Sequence, residues 1–313
     1  MKNIYKNSYK NIKKAKKILN KNNIIAVPTE TVYGLAGNAY SDSAVKRIYK
    51  IKNRPKKNPL IIHYYNIKNL RKDVFIDNKF LKLYKKFSPG PLTYILKKKE
   101  NTEISSHANS NLNSIAVRFP KNPLTRNLLK NLNFPLAMPS ANISSNISPI
   151  KAEDVKDEFG KKISFILDGG RSKIGLESTV VNLCGKVQIL RPGAISHKKI
   201  SKVLKTKISI SKKNKKLLSP GLLKRHYSPG IPIKLNCNRS DNKAAFIVFG
   251  KKFKKGKNVF NLSFKSNLRE AAKNLYSILR KIKKLKYKKI NVVKIPSKGI
   301  GIAINDRLKK ASY

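Results

Sequence analysis

Apolar residues follow two alternating spacings along the first two hundred positions. Residues 8–20 carry Ile12, Ala15 and Leu19 at helical spacing and end in an Asn-rich turn, which predicts an amphipathic helix. The run NIIAVP that follows has the length and apolar character of a strand ending at its proline. Further helices are predicted in SDSAVKRIYKIK, with Asp42 as N-cap, and in PLTRNLLKNL, and further strands in PLIIHY, PLTYILKK, SIAVRFP, PLAMPS, ISFILDGG, STVVNL and VQILRPG. This mixture predicts an α/β fold with a twisted mixed, largely antiparallel sheet.

The last eighty residues repeat the alternation on a smaller scale. AAFIVFG, the helical NLREAAKNLYSILRKIKK, KINVVKIP and the helical GIGIAINDRLKKA have the order of a small Rossmann-like α/β domain. Before them, residues 200–216 are rich in lysine and weakly patterned, and two Ser-Pro-Gly turns bracket LLKRHY. We therefore expect a first domain over residues 1–205, a linker over 206–232 and a small domain over 233–313. GIGIA indicates a tight connection rather than a nucleotide site.

The formal net charge is +56, which favours nucleic-acid binding at first sight. However, 59 of the 71 basic residues are lysines scattered along the chain, Asn and Ile are abundant, and Trp is absent, as in an A+T-rich genome with drifted codons. A surface selected for RNA would show clustered arginines and aromatics. We interpret most of the charge as a solvated surface and expect only a weak, nonspecific affinity for RNA.

The cysteines and the apolar runs limit the metal and disulfide chemistry and the cellular compartment that we expect. Cys184 and Cys237 lie far apart, with no CxxC and no histidine at metal-ligand spacing, so neither a metal site nor a disulfide framework is predicted. The lysine-rich start lacks a signal-peptide core, and no run of 18 apolar residues occurs. We expect a soluble cytoplasmic protein with no membrane partner.

Two basic residues stand where a predicted helix must end. Because the residue before a proline avoids the helical region, the helix stops before Pro55, and Lys52 and Arg54 lie between a helix end and the strand PLIIH. Held there, they suit phosphate or carboxylate oxygens. They could equally complement the dipole at the helix carboxyl end. Lys56 and Lys57 have no such anchor and are assigned to the solvated surface.

Other polar residues interrupt apolar segments. Arg118 lies within SIAVRFP, Arg191 ends the VQIL strand, and Ser140 and Asn142 follow the strand PLAM. A buried charge is costly unless it is paired, and the chain has only 15 acidic residues. We therefore expect an anionic ligand, rather than protein carboxylates, to pair with these arginines.

The motifs, taken in order, resemble one family. VPTETVYGLAGNA, KNRPKKNPLIIH, SPGPLTYILKK, SIAVRFP, PLAMPSANISSNISP, ILDGG, GLESTVV and ILRPGAI closely resemble the YrdC-like domain of L-threonylcarbamoyladenylate synthases. SPGLLKRHYSP resembles the linker of that family's two-domain form, and GIGIAINDRLKKA its carboxyl-terminal end. The similarity spans about residues 10 to 310.

The resemblance implies a nucleotidyltransferase of tRNA processing. Threonine, bicarbonate and ATP would give threonylcarbamoyl-AMP and pyrophosphate, with Mg²⁺ on the phosphates and its other ligands from water. A partner transferase would move the threonylcarbamoyl group to the adenosine next to the anticodon of tRNA. The step requires positioning and charge stabilisation rather than a covalent nucleophile.

The resemblance also implies roles for individual residues. Lys52 and Arg54 match the Lys-x-Arg motif and are the catalytic candidates. The implied ATP contacts are Arg54, Asn58, Ser114, Ser140, Asn142, Ser148, Arg191 and Tyr227. The implied threonine contacts are Thr31, His63, Arg118, Met138 and Ser178, and no residue is implied as a metal ligand. His63 is either a general base or only a hydrogen-bond donor.

Some positions depart from the family pattern. Met138 and Ala36 replace smaller residues, which predicts a narrower amino-acid pocket at Met138, and the small domain is short. The linker motif is open to two interpretations. It is either a lid with Tyr227 near the nucleotide and Arg225 near phosphate, or a passive tether packed on the nearest domain.

Two rival functions fit part of the sequence. A carbamoyl-adenylate-forming module shares the YrdC-like domain, but such chains carry acylphosphatase and zinc-finger parts that this sequence lacks. A noncatalytic RNA-binding role suits the charge, yet it leaves Arg118, Ser140 and Arg191 unexplained.

Overall fold

The computed structural model describes residues 3–211, 221, 225–241, 243–254 and 256–313. The predicted linker therefore falls partly outside the described residues, at positions 212–220 and 222–224. Within the described chain, no helix is long and apolar enough to span a membrane.

One large sheet organises the first two thirds of the chain. Its strands are β1 (Ile4–Lys6), β2 (Ile25–Val27), β3 (Gly34–Asn38), β4 (Ile61–His63), β5 (Leu92–Lys97), β6 (Ser114–Arg118), β7 (Leu136–Ala137), β8 (Ile166–Asp168), β9 (Thr179–Asn182), β10 (Gln188–Arg191) and β11 (Ser209–Ile210). Their order in the sheet is β1-β8-β2-β3-β7-β4-β6-β5-β9-β10-β11. Among the described residues, half of these pairings are parallel and half antiparallel, so the mixed α/β class is confirmed with a more even mixture than predicted.

Helices cover both faces of this sheet. They are α1 (Tyr9–Asn20), α2 (Asp42–Lys52), α3 (Ile67–Leu70), α4 (Asn78–Phe87), α5 (Pro123–Lys130), α6 (Ala152–Phe159) and α7 (His197–Leu204), with a 3₁₀ turn at Gly160–Lys162. Along β2, Ala26 joins the core on one face while Ile25 and Val27 pack on the other with Leu19 of α1. Because both faces are buried, the strand is a continuous apolar run rather than an alternating one.

The cap of α2 differs from the sequence prediction. Ser41, not Asp42, is the N-cap, and its hydroxyl accepts a hydrogen bond from the Ala44 amide at 3.3 Å. Asp42 is instead the first helical residue, where the positive end of the helix dipole stabilises its carboxylate. At the other end the helix stops at Lys52, because Asn53 adopts a left-handed conformation with φ 47°. The chain therefore turns between Lys52 and Arg54.

The carboxyl-terminal part forms a separate parallel sheet, as expected for a Rossmann-like domain. Its elements are β12 (Ile233–Lys234), β13 (Ala245–Val248), β14 (Val259–Asn261), α8 (Leu268–Lys284), β15 (Ile290–Val292) and α9 (Gly301–Ala311), with strand order β12-β15-β13-β14. Its apolar core extends into the first domain, since Val32, Ile147, Ile150 and Leu176 belong to the same cluster. The two parts therefore pack against each other through a shared apolar core and are not joined by the linker alone.

Gly193 follows β10 and packs against the first residue of β9. A Cβ atom added there would lie 2.3 Å from the Thr179 amide nitrogen and 2.5 Å from the Ser178 carbonyl carbon, both backbone atoms. At Gly185, which has φ +76°, an added Cβ would meet open space. The two glycines are therefore required for different reasons.

We expect Gly193→Ala to lower the free energy of unfolding by about 3 kcal/mol, because the clashing backbone cannot move aside cheaply. The matched change Gly185→Ala should lower the free energy of unfolding by only about 1 to 2 kcal/mol, because alanine is disfavoured in the left-handed conformation of this residue. Urea unfolding of both variants measures the difference. Equal stabilities would contradict the close packing of β9 against the turn after β10.

Candidate active site

A small cavity of about 40 Å³ opens where several strands of the large sheet end. Because β4 and β6 are parallel, with His63 opposite Arg118, their last residues lie together at one edge. β7 runs antiparallel to β4, and Met138 and Ser140, which follow β7, also line the cavity. The predicted site residues in the cavity wall are Thr31, Arg54, His63, Arg118, Met138, Ser140, Ser178, Arg191 and Tyr227.

Lys52 and Arg54 are both buried, whereas Lys56 and Lys57 are exposed. Lys52 Nζ donates hydrogen bonds to the carbonyl oxygens of Ser140, at 2.5 Å, and Asn142. Its partners therefore lie in the loop after β7 and not at the end of its own helix, which argues against the helix-dipole alternative. Position, as the sequence suggested, separates the two pairs of basic residues.

Arg54 is held by the turn that follows it. Its Nε and Nη2 donate to the carbonyl oxygens of Asn58 and Pro59, both at 2.9 Å. Burial lowers the pKa of Arg54 to about 10, and burial together with the charge of Arg54 lowers the pKa of Lys52 well below its usual value. Two neighbouring cations therefore lie in a place where each is costly without an anion.

Several buried polar atoms near these cations lack partners among the described residues. They include both amide atoms of Asn58, Oδ1 of Asn142 and the Tyr227 hydroxyl. The rest of Asn142 is well used, since its Nδ2 donates to the carbonyls of Ile143 and Asn146 and so braces the loop. Unsatisfied buried groups of this kind call for an explanation, and a polar ligand supplies one.

Arg118 does have a protein partner, which corrects the expectation that the arginines lack one. Its Nη2 lies 2.6 Å from Glu30 Oε1, and its Nη1 donates to Thr31 Oγ1 at 2.9 Å. Glu30 also accepts from the Lys121 amide, so the carboxylate is fixed on two sides. The scarcity of acids did not leave this arginine unpaired.

Arg191 is directed into the site by an irregularity in its strand. The β9–β10 register shifts between Ile189 and Arg191, and the guanidinium donates through Nε and Nη2 to the Ser178 carbonyl at 3.1 and 3.0 Å. Ser178 Oγ in turn bonds Thr93 at 2.7 Å. Burial lowers the pKa of Arg191. The arginine is thus fixed on the backbone of the GLESTVV motif.

His63 is buried. Burial, with the nearby charge of Arg118, lowers the pKa of its ring well below the usual value and so favours the neutral form. Nδ1 lies 3.1 Å from the Ile61 carbonyl oxygen, which can accept a hydrogen bond from the tautomer protonated at Nδ1.

Four further predicted contacts stand outside the cavity wall in different ways. Asn58 and Asn142 surround the buried cations as described, and Ser148 donates to Glu177, which does line the cavity. Ser114 is the first residue of β6 and Arg118 is the last, so the two lie at different ends of the strand and Ser114 does not reach the cavity. Its role as an ATP contact stays a prediction.

The linker motif enters the site. Tyr227 and His226 are buried, and Gly221 joins them in the cavity wall. The His226 amide donates to the Lys310 carbonyl, and the Ser228 amide donates to the Ser145 carbonyl, so the segment is tied to both domains. Arg225, predicted near phosphate, is exposed and absent from the wall.

Comparison with known proteins identifies the family. A model described as "Telomere recombination" (Sua5/YciO/YrdC) matches residues 17–193, and one described as "Threonylcarbamoyl-AMP synthase, C-terminal domain" matches residues 195–312. The threonylcarbamoyl-AMP synthases of Bacillus subtilis and Pyrococcus abyssi are 34% and 35% identical to it, over 96% and 92% of this chain and 92% and 90% of theirs. The chain belongs to the threonylcarbamoyl-AMP synthase family.

A solved structure agrees with this assignment. Pyrococcus abyssi Sua5 complexed with L-threonine superimposes with a TM-score of 0.90 at 32% identity, over 99% of this chain and 97% of that one. The family resemblance, the fold class and the assignment as an enzyme, all made from the motifs, are thereby confirmed.

Two carboxylates of the synthase fold escaped the sequence analysis. Glu30 pairs with Arg118, and Glu177 pairs with Arg307 at 2.8 Å. Both lie inside motifs that were quoted, VPTETVYG and GLESTVV, directly before Thr31 and Ser178. An acid within an apolar motif of so basic a chain was the available signal, because a buried carboxylate needs a cation.

Glu177 should make stability depend on pH. Burial acts to raise its pKa, but Arg307 and Arg191 outweigh burial and lower the pKa to about 2. A carboxylate whose pKa is lowered on folding stabilises the protein above its unfolded pKa and loses that contribution as pH falls toward the folded value.

We expect the stability advantage of the wild type over Glu177→Gln to shrink by about 2 kcal/mol between pH 6 and pH 3. Urea unfolding at several pH values measures it, with Glu103→Gln, an exposed acid, as the control that should show little change. A pH-independent difference would show that Glu177 is not ionised in the folded protein.

Proposed function

We propose that the chain joins L-threonine, bicarbonate and ATP to form L-threonylcarbamoyl-AMP and releases pyrophosphate. The observation that carries the proposal is a group of buried cations at one cavity: Arg54 and Arg191 line it, and Lys52 is bonded to the carbonyl oxygen of Ser140 in its wall. Burial and mutual repulsion act against their charged forms. Phosphate oxygens of ATP relieve both effects, and the unsatisfied amide of Asn58 adds further polar contacts.

The other side of the cavity suits an amino acid. Glu30, Thr31 and the Gly90 carbonyl occupy three N–H groups of Arg118, which leaves one on each of Nη1 and Nη2 for a carboxylate. The relative from Pyrococcus abyssi was solved with L-threonine. Thr31, His63, Met138 and Ser178 complete this side, where Met138 limits the room for the side chain.

The chemistry follows from this arrangement. The threonine amine and bicarbonate condense to a carbamate with loss of water. A carbamate oxygen then attacks the α-phosphorus, and the bond to the β-phosphate oxygen breaks to release pyrophosphate. Lys52, Arg54 and Arg191 stabilise the charge on the phosphoryl oxygens, and the rigid contacts of each keep them in position. The phosphates would offset the effect of burial on the pKa of Lys52 and so favour its ammonium form.

Mg²⁺ enters this proposal on the ATP phosphates. The described residues contain no group of three His, Cys, Asp or Glu side chains able to hold a metal, and Glu177 in the cavity wall is paired with Arg307. Phosphate oxygens and water would supply the magnesium ligands.

The linker residues close the site. Gly221, His226 and Tyr227 form part of the cavity wall, so a shift of these residues would widen the cavity for substrates. Their return would shield the labile adenylate from water. A separate transferase then moves the threonylcarbamoyl group to the adenosine next to the tRNA anticodon, and the basic surface adds a weak affinity for RNA.

Purified protein should release pyrophosphate only when ATP, Mg²⁺, threonine and bicarbonate are all present. Serine should support a rate lower by about tenfold, because a methyl contact in the pocket is worth about 1 to 3 kcal/mol. A coupled pyrophosphate assay with single omissions measures this. Activity with carbamoyl phosphate in place of threonine and bicarbonate would instead indicate the rival carbamoyl-adenylate reaction, and no activity at all would favour an RNA-binding role.

Lys52→Ala and Arg54→Ala should each lower the rate about a hundredfold, because a preorganised charge in a dry site contributes about 3 kcal/mol. Lys56→Ala and Lys57→Ala are matched controls on the same turn and should change the rate less than twofold. Circular dichroism verifies that all four variants fold. Equal losses in the four would mean that burial does not determine which lysines act.

A further inference from the structure

A buried network joins the carboxyl-terminal domain to the ATP side of the cavity. Glu177 receives hydrogen bonds from Ser148 at 2.6 Å, from the Tyr276 hydroxyl at 3.0 Å and from Arg307 Nε at 2.8 Å. Tyr276 lies on α8 and Arg307 on α9, while Glu177 and Ser148 belong to the first domain. Two elements of the small domain thus converge on one carboxylate next to Ser178.

The same two residues also contact Tyr227. The Arg307 guanidinium lies 4.9 Å from the centroid of the Tyr227 ring, and the ring of Tyr276 lies 6.0 Å away at an interplanar angle of 23°. All three side chains are less than 2% exposed. In a dry setting, a cation over an aromatic face is worth more than at a surface. Tyr227 is therefore held in its place in the site by the carboxyl-terminal domain.

Tyr227 in turn lies next to an ATP-side arginine. A Cβ added to Gly221 would lie 2.5 Å from Tyr227 Oη and 2.8 Å from Arg191 Cδ, so the Gly221 backbone packs closely against both side chains. Gly221 has φ +81° and no side chain, which allows this approach. A continuous set of contacts thus runs from Arg307 through Tyr227 and Gly221 to Arg191.

Association of the two domains does not require such a network. The apolar cluster shared by the two domains already supplies it, and a buried ion pair stabilises less than apolar packing of the same volume. What the network does supply is defined geometry, because Glu177 and Tyr227 are each held by directional contacts.

We propose that Arg307 and Tyr276 are positioning residues for the ATP site. They hold Glu177 and Tyr227 so that Tyr227 and Arg191 meet the nucleotide in a fixed arrangement, which makes the carboxyl-terminal domain a structural part of the site. The inference rests on the proposed function for the identity of the nucleotide.

The experiment separates an effect transmitted through Tyr227 from a loss of stability. Arg307→Met, Arg307→Lys, Tyr276→Phe, Tyr227→Ala and the double variant Arg307→Met/Tyr227→Ala are compared with wild type. Lys309→Met is the matched control, since Lys309 is an exposed cation on the same helix. The Michaelis constants for ATP and threonine, kcat, the melting temperature and the calorimetric dissociation constant of a nonhydrolysable ATP analogue are measured for each.

The expected result is specific to ATP. Arg307→Met should raise the Michaelis constant for ATP and the dissociation constant of the analogue about tenfold, with the constant for threonine within twofold. Arg307→Lys should fall in between, because it keeps the charge and loses the planar fork. Adding Arg307→Met to Tyr227→Ala should weaken ATP binding no further. If Arg307→Met does not fold, Tyr276→Phe carries the test with a rise of about threefold.

Other outcomes overturn the proposal. It is wrong if the folded variants lose only melting temperature and bind ATP like Lys309→Met, or if the double variant shows the product of the two single effects. The proposed reaction fails separately, when wild type releases no pyrophosphate with threonine and bicarbonate. The binding constants of the analogue still test the coupling in that case.

Discussion

A buried cation requires oxygen atoms around it, and this chain has 71 basic residues but only 15 acidic ones to provide them. The fold satisfies that requirement in two ways. Arg118 and Arg307 each receive a carboxylate, from Glu30 and Glu177. Lys52, in contrast, has backbone carbonyl oxygens, which neutralise no charge. The positive potential that remains at the cavity favours an anionic ligand.

The same requirement shapes the surroundings of the site. Ser140 and Asn142 offer carbonyls to Lys52 only because the loop after β7 is folded back toward the end of α2, and the Asn142 amide braces that loop. The left-handed Asn53 lets the chain turn so that Arg54 also faces inward. Backbone geometry and buried charge therefore depend on one another, and these contacts hold Lys52 and Arg54 in place without a substrate.

The carboxyl-terminal domain takes part in this arrangement instead of standing apart. Its core includes Val32 and Ile150 of the first domain, and its helices reach Glu177. A substrate-admitting motion of Tyr227 would disturb contacts with both domains, because Arg307 lies over its ring and the neighbouring Ser228 amide is bonded to the Ser145 carbonyl of the first domain. Opening of the site and movement of the interface are thus physically linked.

The sequence by itself determined the α/β class, most strands and helices, the family and the separation of Lys52 and Arg54 from Lys56 and Lys57. The spacing of apolar residues indicates which positions are buried, and the proline after Arg54 ends α2 through its local effect on the backbone. Both features can therefore be predicted from short segments of sequence. The short strands β1 and β14 went unpredicted because both lie at a sheet edge and are only partly buried, so they lack the apolar run that marks buried strands of the same length. Only the tertiary structure decided the partners of the buried charges. Glu177 and Arg307 are 130 positions apart in the chain, and no local pattern can register a contact over that distance.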